Sequence, residues 1–552
     1  MKNNTMSLYY KTIILFAVFL FCTNMFAKDY FVHPKTGSDT NTGISKKHAF
    51  KSLQRASKVN LKPGDRLLLA HGETYTNGLV IVGKKGTAQK PIVITSIVWN
   101  SNKSLSPAII NFKGLPNGVL IEDSSFLELS NIQLTANGYS EDSKQNSKMR
   151  CGILVRNNNL DAMGHLVIKN ITIYNIYYEN TGFNRGKDEV RTANGTQKYG
   201  WGIRVMNNKT TIIDDVKIMN CSISNVSHTG IKLTGINKNI SNIKILDNVV
   251  KHTGGPGIQM SGVTSVYVAN NTISHSGNAD DTRKWGRGSG LWTWGSSHVL
   301  IEKNEFLYAN GPGDSAGAHI DFNCDNIVLQ YNISAYNAGG FCEILGNNYN
   351  CAYRYNISIN DGYRIKGKNG AFQEGKILWL SGYQGGNKER KGPVNSYIYN
   401  NTIYSDSTIV SKIAIDNTSN GILIANNIFY LEGDSKAVLG DQYKPDKVSG
   451  DLAKNVFFKN NLFLNTKSWP AGVGIVDEAP IFGNPDFVNK GGIKAEDYIP
   501  KNVSLIKNKG ILVKLLESDA NGLIQSLELK PKKDIIGNVI KNIPSLGAIE
   551  PK

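Results

Sequence analysis

The chain has 552 residues and a formal net charge of +18, from 62 basic and 44 acidic side chains. A protein this basic favours polyanionic partners, by long-range steering and by direct pairing. Its lysines are dispersed and no helical reader module is recognisable, so nucleic acid is not the expected partner. Six cysteines in so long a chain, five of them scattered beyond residue 27, exclude a disulfide framework. Only Cys324 and Cys351 are placed to bridge neighbouring coils.

At the start, Lys2 and Lys11 precede an apolar run over residues 13–21, and small Ala27 closes a cleavage site. Residues 1–27 therefore read as a signal peptide, and the mature protein as exported, either secreted or periplasmic. The run is too short to span a bilayer, and no later segment reads as a membrane span. Next, Tyr30-Phe31-Val32 predicts a strand and residues 37–43 a polar turn. The spacing of Phe50, Leu53 and Ala56 predicts a helix that caps the first coil. Lys62-Pro63-Gly64-Asp65 turns the chain into a strand at Arg66–Ala70.

A phrase then keeps returning: apolar, any, apolar, one or two spacers, Asn. It reads Leu166-Val167-Ile168-Lys169-Asn170, Val216-Lys217-Ile218-Met219-Asn220 and Ile243-Lys244-Ile245-Leu246-Asp247-Asn248. It recurs at Asn271, Asn304, Asn332, Asn356, Asn401, Asn427 and Asn461. The tightest intervals, 248→271 and 332→356, lie in the twenties, and β-branched residues alternate within each copy. This pattern marks a solenoid of strand-bearing coils, an all-β parallel β-helix. The Asn suits a turn, because it tolerates left-handed backbone and can hydrogen-bond to the same residue one coil above. The intervals 170→220 and 356→401 are too long for one coil and imply an extra coil, an excursion, or both. Polar residues 178–199 and 382–392 suit excursions bordering a groove. After residue 465 the rhythm fades, and residues 483–488 and 534–550 read as a return segment sealing the far end. The expected organisation is a signal peptide (1–27), a β-helix (28–465) and a C-terminal capping segment (466–552).

Upstream of each Asn a second phrase recurs: Gly, apolar, any, apolar. Gly230-Ile231-Lys232-Leu233 and Gly257-Ile258-Gln259-Met260 read as structural. The copies Gly290-Leu291-Trp292-Thr293-Trp294, Ala318-His319-Ile320-Asp321-Phe322 and Gly340-Phe341-Cys342-Glu343-Ile344 carry aromatic, imidazole and carboxyl groups that a structural coil does not need. Alternation points His319, Asp321 and Glu343 outward. Asp321 and Glu343 each lie three residues past the small residue opening their strand, which predicts vertical neighbours. Counting back from the phrase Asn disagrees, giving 11 for Asp321 (332 − 321) and 13 for Glu343 (356 − 343). Two outward carboxyls on adjacent rungs are what glycoside hydrolysis requires, one protonated for the leaving oxygen and one to activate water or attack. Trp285, Trp292 and Trp294 suit stacking on sugar rings, and the loop at residues 311–317 brings Asp314 near the groove as a third acid. Asp361, Arg364 and Lys366 are expected on the next rung, with both cations facing out beside Ile365 to pair with sulfate or carboxylate groups.

These residues resemble a known group. The opening Tyr30-Phe31-Val32…Gly37-Ser38-Asp39…Lys62-Pro63-Gly64-Asp65, the stretch from Gly290-Leu291-Trp292 to Gly339-Gly340-Phe341, and the closing Gly547-Ala548-Ile549-Glu550 are similar to the pectate-lyase-like right-handed β-helix superfamily. Within it, the likeness is nearest to β-helical glycoside hydrolases with α-L-fucosidase and xylanase activities. The resemblance implies a right-handed coil and an acid pair built around Asp321. In the relatives an acidic residue often precedes the Gly-Gly matched by Gly339-Gly340. Here Ala338 stands there, which leaves the second acid open between Glu343 and Asp361.

The expected function is thus an exported glycoside hydrolase, a monomer, acting on an anionic polysaccharide, sulfated ones included, such as a fucan, carrageenan or pectic glycan. Two alternatives remain open at this point. One is a polysaccharide lyase or C5-epimerase using Arg364, Lys366 and His319; the other is a non-catalytic glycan-binding rod. No cofactor is expected; Asp280-Asp281 and Asp314 are the acids that Ca²⁺ would use, and no metal cluster is recognisable.

Overall fold

The computed structural model describes residues 27–100, 106–139, 149–159, 161–196, 198–438, 453, 455–466, 476–519, 522 and 530–552. The signal-peptide reading falls on residues 1–26, outside those described. The chain winds into coils whose strands pair in parallel, each with its counterpart one turn away. They form a 26-stranded and a 12-stranded sheet. The larger sheet covers two faces of the rod, because Leu127–Asn137 and Met163–Tyr177 run unbroken through the corner between them. The 12-stranded sheet is the third face.

Alternation sets the core. Ile218, Ile245, Val268, Ile301 and Leu329 are register partners on successive coils and are buried inside the rod. Stacking like on like lets one apolar column run the length of the molecule, where a single coil would have nothing to bury against. At the N-terminal end, the helix Leu53–Ser57 packs Leu53 and Ala56 on the first coils, and the Ser52 side chain accepts from the Arg55 N–H at its start.

The repeated Asn divides into two adjacent columns. Asn170, Asn220, Asp247, Asn270, Lys303, Tyr331, Tyr355, Asn400, Asn426 and Asn460 hold the left-handed corner, with φ of 52–57°. The next column is a buried hydrogen-bonded ladder of Asn248, Asn271, Asn304, Asn332, Asn356, Asn401, Asn427 and Asn461. The two roles expected of one Asn are thus split, and Asn170 and Asn220 belong to the corner. From Asn271 onward each ladder oxygen accepts from both the backbone and side-chain N–H of the Asn before it, while the Asn248 oxygen accepts from the Cys221 N–H. Asn461 donates to Asp477, whose acceptor-only carboxyl suits the last rung.

Both long intervals contain one coil with an excursion and no extra coil: Met163–Tyr177 pairs directly with Ile213–Met219, and Ala352–Arg354 with Val394–Tyr399. The tail departs from expectation. Among the described residues, Asp477 and Ile481–Phe482 extend the stack, after which the chain turns back along the flank. Tyr331 donates to Lys533 O (2.7 Å), Tyr336 to Gly491 O (2.9 Å), Asn400 to Ser545 O (2.8 Å) and Gly547 N to Asn426 O (2.8 Å). Phe487, Tyr498, Ile506, Leu546 and Ile549 cover Tyr404 and Tyr430 there. The tail shields a side of the rod, because outward aromatic residues on these coils need cover.

Cys151, Cys221, Cys324, Cys342 and Cys351 are all buried free thiols, so Cys324 and Cys351 form no bridge. The thermal midpoint is therefore expected to be the same within about 1 °C with and without dithiothreitol, since no crosslink constrains the unfolded chain. A reductant-dependent fall in a melting scan would refute this.

Candidate functional site

The site lies on the outer surface of the 12-stranded sheet. There Ile231–Thr234, Ile258–Ser261, Leu291–Trp294, Ala318–Ile320, Gly340–Ile344 and Lys376–Leu380 stack in register. Ile258, Leu291, Ala318, Ile320, Cys342 and Ile344 fill the interior. Alternation then leaves Lys232, Gln259, Trp292, His319, Glu343 and Trp379 as one outward column, with rungs about 4.8 Å apart. A second outward column carries Trp294, Asp321 and Leu345; Asp321 N donates to Thr293 O and Leu345 N to Ile320 O, each at 2.9 Å.

Asp321 and Glu343 are therefore diagonal neighbours, not vertical ones. The pairing Ile320↔Ile344 sets Glu343 beside His319. The small-residue anchor misled because Gly340 bridges to Ala316, two residues before Ala318. The count from the ladder Asn carried the true register.

Both columns open on a cavity of about 160 Å³. Asp314, Asp321 and Glu343 bring three carboxyl groups to it, with His319, Arg287 and Gln259 as further polar groups. Trp292, Trp294, Phe322 and Leu345 supply apolar wall, and the excursions contribute Asn194 on one side and Tyr383 on the other. Trp294 is 44% exposed at the mouth, edge-on to Phe322 at 5.9 Å.

The three titratable groups at the centre are held in different states. Burial, with Glu343 and Asp314 adding to it, pushes the Asp321 carboxyl up to about 7; His319 and the Phe322 N–H, at 2.9 Å, only partly oppose this. Asp314 goes the other way. Burial would raise it, but Arg287 outweighs burial and holds it below the usual carboxylate range through two hydrogen bonds of 2.7 and 3.1 Å. His319 is pushed down by burial, and packs between the Ser289 hydroxyl at 3.0 Å and the Trp292 ring at 5.6 Å. Its contact with Glu343, 3.9 Å from Nδ1 to the carboxyl oxygen, is thus made by a neutral imidazole near pH 7.

Asp314 sits on a strained loop, with φ of +46° at Asp314 and +67° at Ser315. Arg364 braces that loop from behind: it donates to Gly311 O at 3.0 Å, Asp314 O at 2.9 Å and Gln373 O at 2.8 Å. Arg287 also donates to Arg191 O (3.0 Å) and Thr192 O (3.2 Å), tying the excursion over residues 178–199 to the acid.

Several expected site residues lie elsewhere. Asp361 is inside the rod, where it ends a second ladder: Asn337 donates to it twice at 2.9 Å and Ser358 once at 2.8 Å. Burial pushes its carboxyl up to about 7. Arg364 is buried in the loop, while Ile365 is 41% exposed, so the alternation expected around Ile365 does not hold; these residues lie in an irregular loop, not a strand. Lys366 is exposed and does not line the cavity. Trp285 is buried, stacked on His228 at 4.7 Å and donating to Glu189 O at 3.1 Å. Of the acids considered for Ca²⁺, Asp280 pairs with Lys284, Asp281 with Arg283 and Asp314 with Arg287. Among the described residues no group of three or more His, Cys, Asp or Glu is placed to hold a metal ion, and no helix is long and apolar enough to cross a membrane.

Sequence reasoning missed Arg287, Gln259, Asn194 and Tyr383. Gln259 had a signal, since it occupies the same position in its phrase as Trp292. Arg287 had none, because it meets Asp314 only across one full coil.

Residues 201–375 match a family model described as the right-handed β-helix region. The fold is a right-handed parallel β-helix. A lacto-N-biosidase from Bifidobacterium longum subsp. longum is 23% identical over 94% of this chain, and the chain spans 36% of that relative's length. The crystal structure of the GH136 lacto-N-biosidase from Eubacterium ramulus superposes with a TM-score of 0.53 at 19% identity, covering 74% of this chain and 68% of that one.

Proposed function

We propose that the protein is a glycoside hydrolase whose proton donor is Asp321. The observation that carries this reading is the opposite treatment of two acids on one cavity: Asp321 keeps its proton near neutrality while Arg287 keeps Asp314 ionised. Paired carboxyls in these two states are the requirement for acid-assisted departure of an alcohol with an anion on the other side of the sugar. Asp321 supplies the proton to the glycosidic oxygen. Asp314, held by Arg287, attacks or activates water, and Glu343 helps keep the proton on Asp321. The lacto-N-biosidase relatives support the same reaction class.

Elimination has less support. A lyase needs a cation to neutralise a uronate carboxylate, yet Arg364 is spent on carbonyls behind the loop, Lys366 lies outside the cavity, and Arg287 is taken by Asp314. The charge of +18 still favours a polyanionic glycan outside the cavity, but an acid-lined cavity suits an uncharged sugar at the point of cleavage. We place the enzyme outside the cytoplasm, acting as a monomer.

The reaction is tested by digesting alginate, pectate, carrageenan, fucoidan and p-nitrophenyl lacto-N-bioside. New reducing ends or nitrophenol without the ultraviolet absorbance of unsaturated uronates are expected; absorbance rising with the ends means elimination. Asp314→Asn and Arg287→Met are each expected to lower kcat by about 10²-fold or more. Asp314→Asn with near wild-type kcat would remove Asp314 from the chemistry.

A further inference from the structure

Two residues that line the cavity each carry a buried polar atom with no hydrogen-bond partner: Trp292 its indole N–H and Gln259 its amide oxygen. The residues are register partners on adjacent strands, so their side chains leave the sheet about 4.8 Å apart. Buried donors and acceptors are otherwise paired almost without exception, and an orphan destabilises the fold. An unpaired donor and an unpaired acceptor on neighbouring residues of one cavity wall are groups that a ligand can complete.

Resting on the glycosidase reading above, we infer that Trp292 and Gln259 are the specificity-determining residues of the site and select an uncharged sugar presenting two adjacent hydroxyls. Trp292 donates to one hydroxyl oxygen, and Gln259 accepts the proton of the other. Charge disfavours the anionic alternatives: Asp314 and Glu343 face the cavity, and Arg287 is already paired with Asp314. The half-exposed Trp294 offers its ring to the sugar at the mouth. A site built to hydrogen-bond a hydroxyl rejects the analogue that lacks it far more strongly than an apolar wall would.

The test uses p-nitrophenyl glycosides of galactose, N-acetylglucosamine, xylose, fucose and lacto-N-biose, then monodeoxy versions of the one cleaved fastest. Trp292→Phe is expected to lower kcat/KM about tenfold or more on the parent, and less than about twofold on the analogue missing the hydroxyl that the indole meets. Gln259→Met should behave likewise at the neighbouring hydroxyl. It should also melt at or above the wild-type temperature, because a buried amide oxygen with no partner has been replaced by an apolar side chain of similar length. Equal losses on every analogue would mean that the ring only packs, and a lower melting point for Gln259→Met would make the amide structural; either overturns the inference. Variants as active as wild type overturn it while leaving the hydrolase standing. Wild type that cleaves no glycoside in the panel overturns both.

Discussion

Asp321→Asn is expected to lower kcat by about 10²–10⁴-fold, the range that a positioned general acid contributes, while the protein remains folded. The amide is nearly isosteric with the protonated carboxyl that the cavity favours, keeps an oxygen for the Phe322 N–H, and cannot release a proton. In wild type the rate should fall as pH rises through about 7, the point to which burial raises this group. Stability follows with a definite sign. A carboxyl raised from 3.8 to about 7 contributes stability that is fully present below the lower value and is lost as pH rises through the upper one. Asp361, also raised to about 7 by burial, acts in the same sense. Asp321→Asn removes one of these two liabilities. Its melting temperature relative to wild type should therefore improve between about pH 5 and about pH 8, while activity stays lost at both. A variant retaining more than about a tenth of the wild-type rate would move the chemistry to another residue.

Asn332→Ala should be the most destabilising single change outside the site, at about 3–5 kcal/mol by chemical denaturation. The Asn332 oxygen accepts from both N–H groups of Asn304 at 3.0 Å, and its amide donates to Ile301 O and to the Asn356 oxygen at 3.0 Å. All lie in the buried interior, so water cannot replace them: the truncation strands the Asn304 backbone N–H and removes one donor each from Ile301 O and the Asn356 oxygen. Neighbouring ladder members share these bonds, so Asn332→Ala combined with Asn356→Ala should cost less than the sum of the two. A cost below about 1 kcal/mol for Asn332→Ala would mean that the ladder is incidental to the stack.

The architecture was legible because a coil that cannot bury its own apolar face must repeat, and repetition shows in the order of residues. The Asn phrase, the apolar alternation and the helix over Leu53–Ser57 follow from that. The doubled role of the Asn was harder to separate, since the corner and ladder positions are adjacent and both accept Asn. Asp321, His319, Glu343 and Trp292 were recognisable as outward groups in a strand where a structural coil needs none. Asp361, Trp285 and Arg364 were misplaced because an acid, an indole or a guanidinium reads the same whether it faces water or meets buried partners such as Asn337, His228 or the Gly311 carbonyl.

What the order of residues determined by itself was the coil and which side chains point outward from its regular strands, since these depend on local alternation and on like stacking over like. Which outward groups meet was decided only in three dimensions. Arg287 reaches Asp314 across one coil and the 178–199 excursion folds back over both, and the burial so produced keeps the proton on Asp321. Desolvation belongs to the assembled surroundings of a carboxyl, and no single stretch of chain contains it.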